Sequence, residues 1–131
     1  MTTLTRLAAF GLLMTFVHIG DHALNQPSRD LGTAGNGIGV IAVIISAATL
    51  WLAMRRSFLA PLAALGTGIA TTAGLSAIHI APRWSSVSDP YSAVDVNALS
   101  WLIVGIAIAG AIALTAVGAR ETATRRRPSP V

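Results

Sequence analysis

The sequence predicts an all-α fold, a four-helix transmembrane bundle with short loops, and three observations carry that reading. Charged residues are too few to cover a water-facing surface, four apolar runs approach bilayer length, and those runs lack polar/apolar alternation. Of 131 residues, 53% are hydrophobic and 11% charged, whereas soluble domains carry about a quarter charged. The mean hydropathy is +0.68. The runs are Leu7–Ile19, Val40–Met54, Phe58–Ile80 and Val96–Val117. The last two are long enough for spans of roughly 20 residues, and the first two become so when extended to Leu24 and back to Gly37. Hydrocarbon offers no partner for exposed backbone polar groups, so spanning segments are helices or closed barrels. Barrel strands alternate in polarity, and Ala42–Ala48 and Val104–Ala113 do not.

The predicted helices cover residues 4–24, 37–55, 58–80 and 94–118, forming a single membrane domain over 1–118. Helix 1 has the outline of a secretory signal, with Arg6 before an apolar stretch. Cleavage after Ala23 would put Asp21 where a small neutral residue is needed, so the segment reads as a retained span. Gln26-Pro27-Ser28 stops it. The connection to helix 2 runs from Asn25 to Asn36 and has a flexible glycine-rich ending, Gly32 to Gly39. No strand precedes those glycines, so they do not form a dinucleotide-binding turn. Helices 2 and 3 are joined by a turn at Arg55–Ser57, and Pro61 falls in the first turn of helix 3, where a missing N–H costs least. Ala81-Pro82-Arg83 ends helix 3, and Asp95 and Asn97 begin helix 4. Residues 119–131 read as a disordered basic cytoplasmic tail.

All nine basic residues are arginine, a compositional habit of GC-rich bacterial genomes, which suggests a bacterial inner membrane. Arg6, Arg55, Arg56, Arg120, Arg125, Arg126 and Arg127 fall on one side of a four-span topology, and Arg29 and Arg83 on the other. That asymmetry predicts a cytoplasmic N-terminus and a cytoplasmic C-terminus. It also accounts for the pI of about 11.5 through topology and anionic lipid, without a nucleic acid partner. Trp84, Tyr91 and Trp101 are expected at the outer boundary and Trp51 and Phe58 at the inner one. With no cysteine, disulfides, thiolate ligands and thiol redox chemistry are excluded.

Small residues recur at helical spacing: Ala8, Gly11 and Thr15; Ala42, Ser46, Thr49 and Ala53; Gly66, Ala70 and Gly74; Gly105, Ala109 and Ala113. Such stripes are expected to let helices approach closely, within the bundle or toward a second copy or another membrane protein. The hydroxyls of Thr67, Thr71, Thr72 and Ser76 are expected to bond carbonyls one turn back. The first stripe continues into His18 and His22, so these histidines should face the bundle interior.

His18-Ile-Gly-Asp-His22 is the chain's chemically distinctive segment, because ionisable groups at the edge of a span need a partner, water or a function. His79 on helix 3 lies at the same predicted depth. His18, His22 and His79 are therefore candidate ligands for a divalent transition metal such as Zn²⁺ or Cu²⁺. Asp21 is a fourth candidate, and Asp95 is placed to orient a ring from behind. The competing reading is structural: the histidines hydrogen-bond loop carbonyls, and Asp21 pairs with Arg29 or Arg83. The function these features suggest is a small membrane protein binding a cation or small ligand at an extracytoplasmic site. The main alternative is a non-catalytic accessory or structural subunit of a membrane complex. A small transporter and a haem-binding electron carrier are further alternatives. No motif nominates a reaction, which weighs against an enzyme.

Overall fold

The computed structural model describes residues 1–25, 32–85, 87–93 and 96–125, with the side chains of 32–35 left aside. It contains α1 (Thr3–Asn25), α2 (Gly32–Met54), α3 (Ala60–Leu75) and α4 (Ala98–Arg125). A π-helical turn, Ser76–Ile80, extends α3, and a 3-10 turn, Tyr91–Ala93, precedes α4. The helical content and the four apolar spans match the fold class expected from sequence, and no strand occurs among the described residues. This is the architecture of a small multi-pass membrane protein.

Local chemistry explains most element ends. Thr2 Oγ1 accepts the Thr5 N–H at 3.1 Å and caps α1, and Asn97 Oδ1 accepts the Ser100 N–H at 2.9 Å and caps α4. α2 closes in a Schellman turn: the Ser57 N–H reaches Leu52 O at 3.0 Å and the Arg56 N–H reaches Ala53 O at 3.1 Å. Arg56 takes the left-handed position, with φ of 50°, that glycine usually fills. Pro61 sits in the first turn of α3, as expected.

Three boundaries of the apolar spans differ from the sequence reading by four residues or more. α2 begins at Gly32, so the stretch expected as a flexible glycine-rich ending is helical. Glycine disfavours helix by about 1 kcal/mol, but intrahelical bonding is the cheaper way to satisfy the backbone near an apolar phase. α4 starts at Ala98 rather than 94 and continues to Arg125. Residues 119–125, expected as tail, are thus helical. Arg120 and Glu121 end the apolar run without being poor helix formers, and Thr122 Oγ1 bonds Gly118 O at 2.8 Å. Gln26, Pro27, Ser28, Arg29, Asp95 and residues 126–131 lie outside the described residues.

The helices run around the bundle in chain order. α4 packs on α1 and α3, α2 packs on α1 and more lightly on α3, and α1 and α3 form a diagonal pair. Leu4, Ala8, Ala53, Ala60, Ala64 and Leu114 make a core near the arginine-bearing end, and Met14, Ile103 and Ala107 make a second near mid-bundle. α3 and α4 touch backbone to backbone. A Cβ at Gly68 would lie 2.6 Å from Ala111 O, and one at Gly118 would lie 2.7 Å from Pro61 O.

The small-residue stripes on α1 and α2 face inward as expected, with Ala8, Ser46, Thr49 and Ala53 buried. The stripes expected on α3 and α4 do not make the helix contacts. Gly66, Ala70, Gly105 and Ala109 are exposed, and the α3–α4 contact uses Ala64, Gly68, Ala111 and Gly118 instead.

Candidate metal centre

The site begins where α3 ends. Pro82 has no N–H to donate to Ile78 O, so the last turn needs other donors. The Ala81 N–H reaches back to Ser76 O at 2.8 Å, closing the wider π turn, and the Asp89 N–H takes Ile78 O at 2.8 Å. Trp84 Nε1 donates to Ala77 O at 2.6 Å. The connecting segment is thereby folded back over the helix end, and the π turn, a local form frequent at functional sites, carries His79.

His79 is 2% exposed, and its two ring nitrogens face different partners. Nδ1 lies 3.2 Å from the main-chain oxygen of Asp89. Because a carbonyl only accepts, Nδ1 carries the proton, a tautomer assigned from its partner. Nε2 then presents a lone pair, and it lies 3.1 Å from His18 Nε2 across the bundle diagonal. His22, one helical turn after His18, completes the group: the three rings offer ligand atoms all within 4.8 Å of one another. His18 and His22 meet edge to face, with centroids 4.7 Å apart. His18 Nδ1 is buried and has no hydrogen-bond partner among the described residues.

Asp21 is not part of this group. Asp21 is 3% exposed, and its Oδ1 accepts from Asn25 Nδ2 at 2.7 Å and from Ser100 Oγ at 3.0 Å, tying α1 to α4. Asp95 lies outside the described residues. Arg83, expected as one pairing partner for Asp21, is exposed.

Sequence reasoning missed three contributors. Asp89 supplies the carbonyl that orients His79, and Ser100 holds Asp21. Tyr91, expected in an interfacial aromatic belt, is 2% exposed, with its ring 4.5 Å from His79 and edge to face with Trp101 at 5.4 Å. Trp84 and Trp101 keep exposed faces. Asp89-Pro90-Tyr91, with Pro82 upstream, was the available signal for a built loop. The α3 hydroxyls also depart from expectation: Thr67 bonds Thr49 across helices at 2.7 Å, and Thr72 Oγ1 has no partner among the described residues.

Beneath the histidines lies a cavity of about 870 Å³, walled by all four helices and predominantly apolar. Ile41, Ile45 and Ala70 line it and are themselves exposed, so it opens between α2 and α3.

Comparison with protein-family models, with curated proteins and with solved structures gives no match to this chain. Fold and geometry therefore define the class by themselves: a four-helix membrane protein with a histidine cluster at one end of its bundle.

Proposed function

We propose that this is a binding protein of the bacterial cytoplasmic membrane that holds a divalent transition metal such as Zn²⁺ or Cu²⁺ on His18, His22 and His79. The observation that carries the reading is the meeting of three imidazole ligand atoms, from two diagonal helices, within 4.8 Å. Zn–N bonds of about 2.0–2.1 Å put neighbouring nitrogens of a tetrahedral site ~3.3 Å apart. His18 Nε2 and His79 Nε2, at 3.1 Å, are close to that spacing, and a rotation of His22 brings its nitrogen toward both. Asp89 O on His79 Nδ1 is the kind of acceptor that metal-bound histidines use to fix ring and tautomer. Nitrogen ligands in a chain without cysteine favour these ions over Cu⁺. Among the described residues, Arg6, Arg55, Arg56, Arg120 and Arg125 cluster at the opposite end, which supports an extracytoplasmic site.

The test is elemental analysis of detergent-purified protein after zinc loading and desalting. Stoichiometric zinc in the native chain and none in the His18→Ala/His22→Ala variant is the expected result. Metal retained by that variant, or absent from the native chain, overturns the reading.

The haem alternative pairs His22 or His18 with His79 across a porphyrin, and both rings lie directly against His79, with centroids 5.2 and 4.9 Å away and no gap for a macrocycle between them. An accessory-subunit reading draws on one observation: Gly105 and Ala109 are exposed on α4, and a Cβ at Gly105 would meet nothing within 4 Å. It predicts that Gly105→Leu dissociates a co-purifying membrane partner while zinc binding is unchanged.

A further inference from the structure

We infer that the cavity under the histidines takes a long-chain carboxylate, an amphiphile of the fatty-acid class drawn from the bilayer, whose head group completes the coordination of the metal. The inference rests on the metal reading above. Three histidines leave the fourth position of a tetrahedral ion open, and neither Asp21 nor Asp89 belongs to the group whose ligand atoms come together. A carboxylate oxygen is an ordinary fourth ligand for such an ion, at about 2.0–2.2 Å in zinc sites.

The cavity supplies the rest of the specificity. From the histidines its wall runs along Leu12, Ile45, Leu75, Ala111 and Leu114, and its volume lies within the ~300–1,000 Å³ of ordinary ligand pockets. Most of the polar groups on that wall are engaged with one another: Thr15 with Ser46 at 3.4 Å and Thr49 with Thr67 at 2.7 Å. They therefore leave the walls fit for a hydrocarbon chain. Buried Asp89, Pro90 and Tyr91 close over His79, while the cavity reaches His18, His22 and His79 from within the bundle. The opening between α2 and α3 gives such a molecule a route from the membrane without crossing water.

The experiment uses the full chain in phosphatidylcholine nanodiscs loaded with Co²⁺, whose visible absorption reports its ligands. Palmitate should shift the cobalt bands saturably, and acetate at the same concentration should not. A Cβ at Gly74 meets nothing within 4 Å and Gly74 lines the cavity, so Gly74→Leu places a side chain in the tail space. That variant should bind cobalt as the native chain does and weaken the palmitate response by about tenfold or more. Cobalt bound with bands indifferent to palmitate overturns this inference and leaves the metal site standing. An equal response to acetate, or an undiminished response in Gly74→Leu, removes the tail subsite. Failure to bind cobalt at all removes both.

Discussion

His79 shows how a single side chain acquires its role from backbone chemistry several residues away. Its tautomer follows from Asp89 O, Asp89 is held by Ile78 O, and that carbonyl is free because residue 82 is proline. Without a metal, His18 Nε2–H donates to His79 Nε2 and His18 Nδ1 holds an unused lone pair. Metal binding requires that the His18 proton move from Nε2 to Nδ1, because imidazole coordinates through an unprotonated nitrogen, and that His22 rotate toward the pair. The two histidines of helix 1 and their inward direction were legible from the spacing after Ala8, Gly11 and Thr15. The part played by Asp21 was not, since i to i+3 proximity places a carboxylate near a ring but does not say which neighbour outbids it. Here the Asp21 carboxylate accepts from Ser100 and Asn25. Asp21→Ala should therefore leave zinc stoichiometry intact while lowering stability by about 1–2 kcal/mol, the scale of a deserted buried donor moderated by its membrane setting. Elemental analysis paired with thermal unfolding in detergent checks both halves, and zinc lost from the folded variant would return Asp21 to the ligand set.

At the level of helices, hydropathy locates the spans well and says little about which face is inside. A membrane helix is apolar toward lipid as well as toward its neighbours, so the contrast that marks the buried face of a soluble helix is missing. Small residues are the substitute signal, and in α3 they are too many to be decisive. Gly66, Ala70 and Gly74 make one regular series, yet Ala64 and Gly68 make the one that α4 touches. The diagonal pairing of α1 and α3 was equally unreadable, because short loops fix sequential neighbours but not the spacing of alternate ones. The two glycine sets separate experimentally. Gly68→Ala and Gly118→Ala each force a methyl group against backbone atoms less than 3 Å away and should cost about 1–3 kcal/mol, as overpacking does. Gly66→Ala and Gly105→Ala meet open space and should be neutral or slightly stabilising through helix propensity. Unfolding midpoints of the four variants test the interface, and equal losses across the set would contradict the α3–α4 contact described.

Over the whole molecule, packing and charge are polarised along the same axis. The apolar core that joins α1, α2, α3 and α4 lies toward the arginine-bearing end, while the histidines and the opening between α2 and α3 occupy the other. A bundle held firmly at one end can keep a ligand space at the other, because α2 is fixed by Thr49 and Ala53 and need not close on α3 above them. Function is then tied to orientation: an extracytoplasmic histidine end meets metal from outside the cell, and a cytoplasmic one meets a buffered internal pool. The arginine asymmetry predicts the first arrangement. Because the chain has no cysteine, single cysteines report sidedness without a background. Ser92 and Thr124 are exposed at opposite ends of the bundle. In intact cells, a membrane-impermeant maleimide should label Ser92→Cys fully and Thr124→Cys only after lysis. The reverse pattern would place the histidines on the cytoplasmic face, and labelling of both sites before lysis would contradict the four-span topology itself.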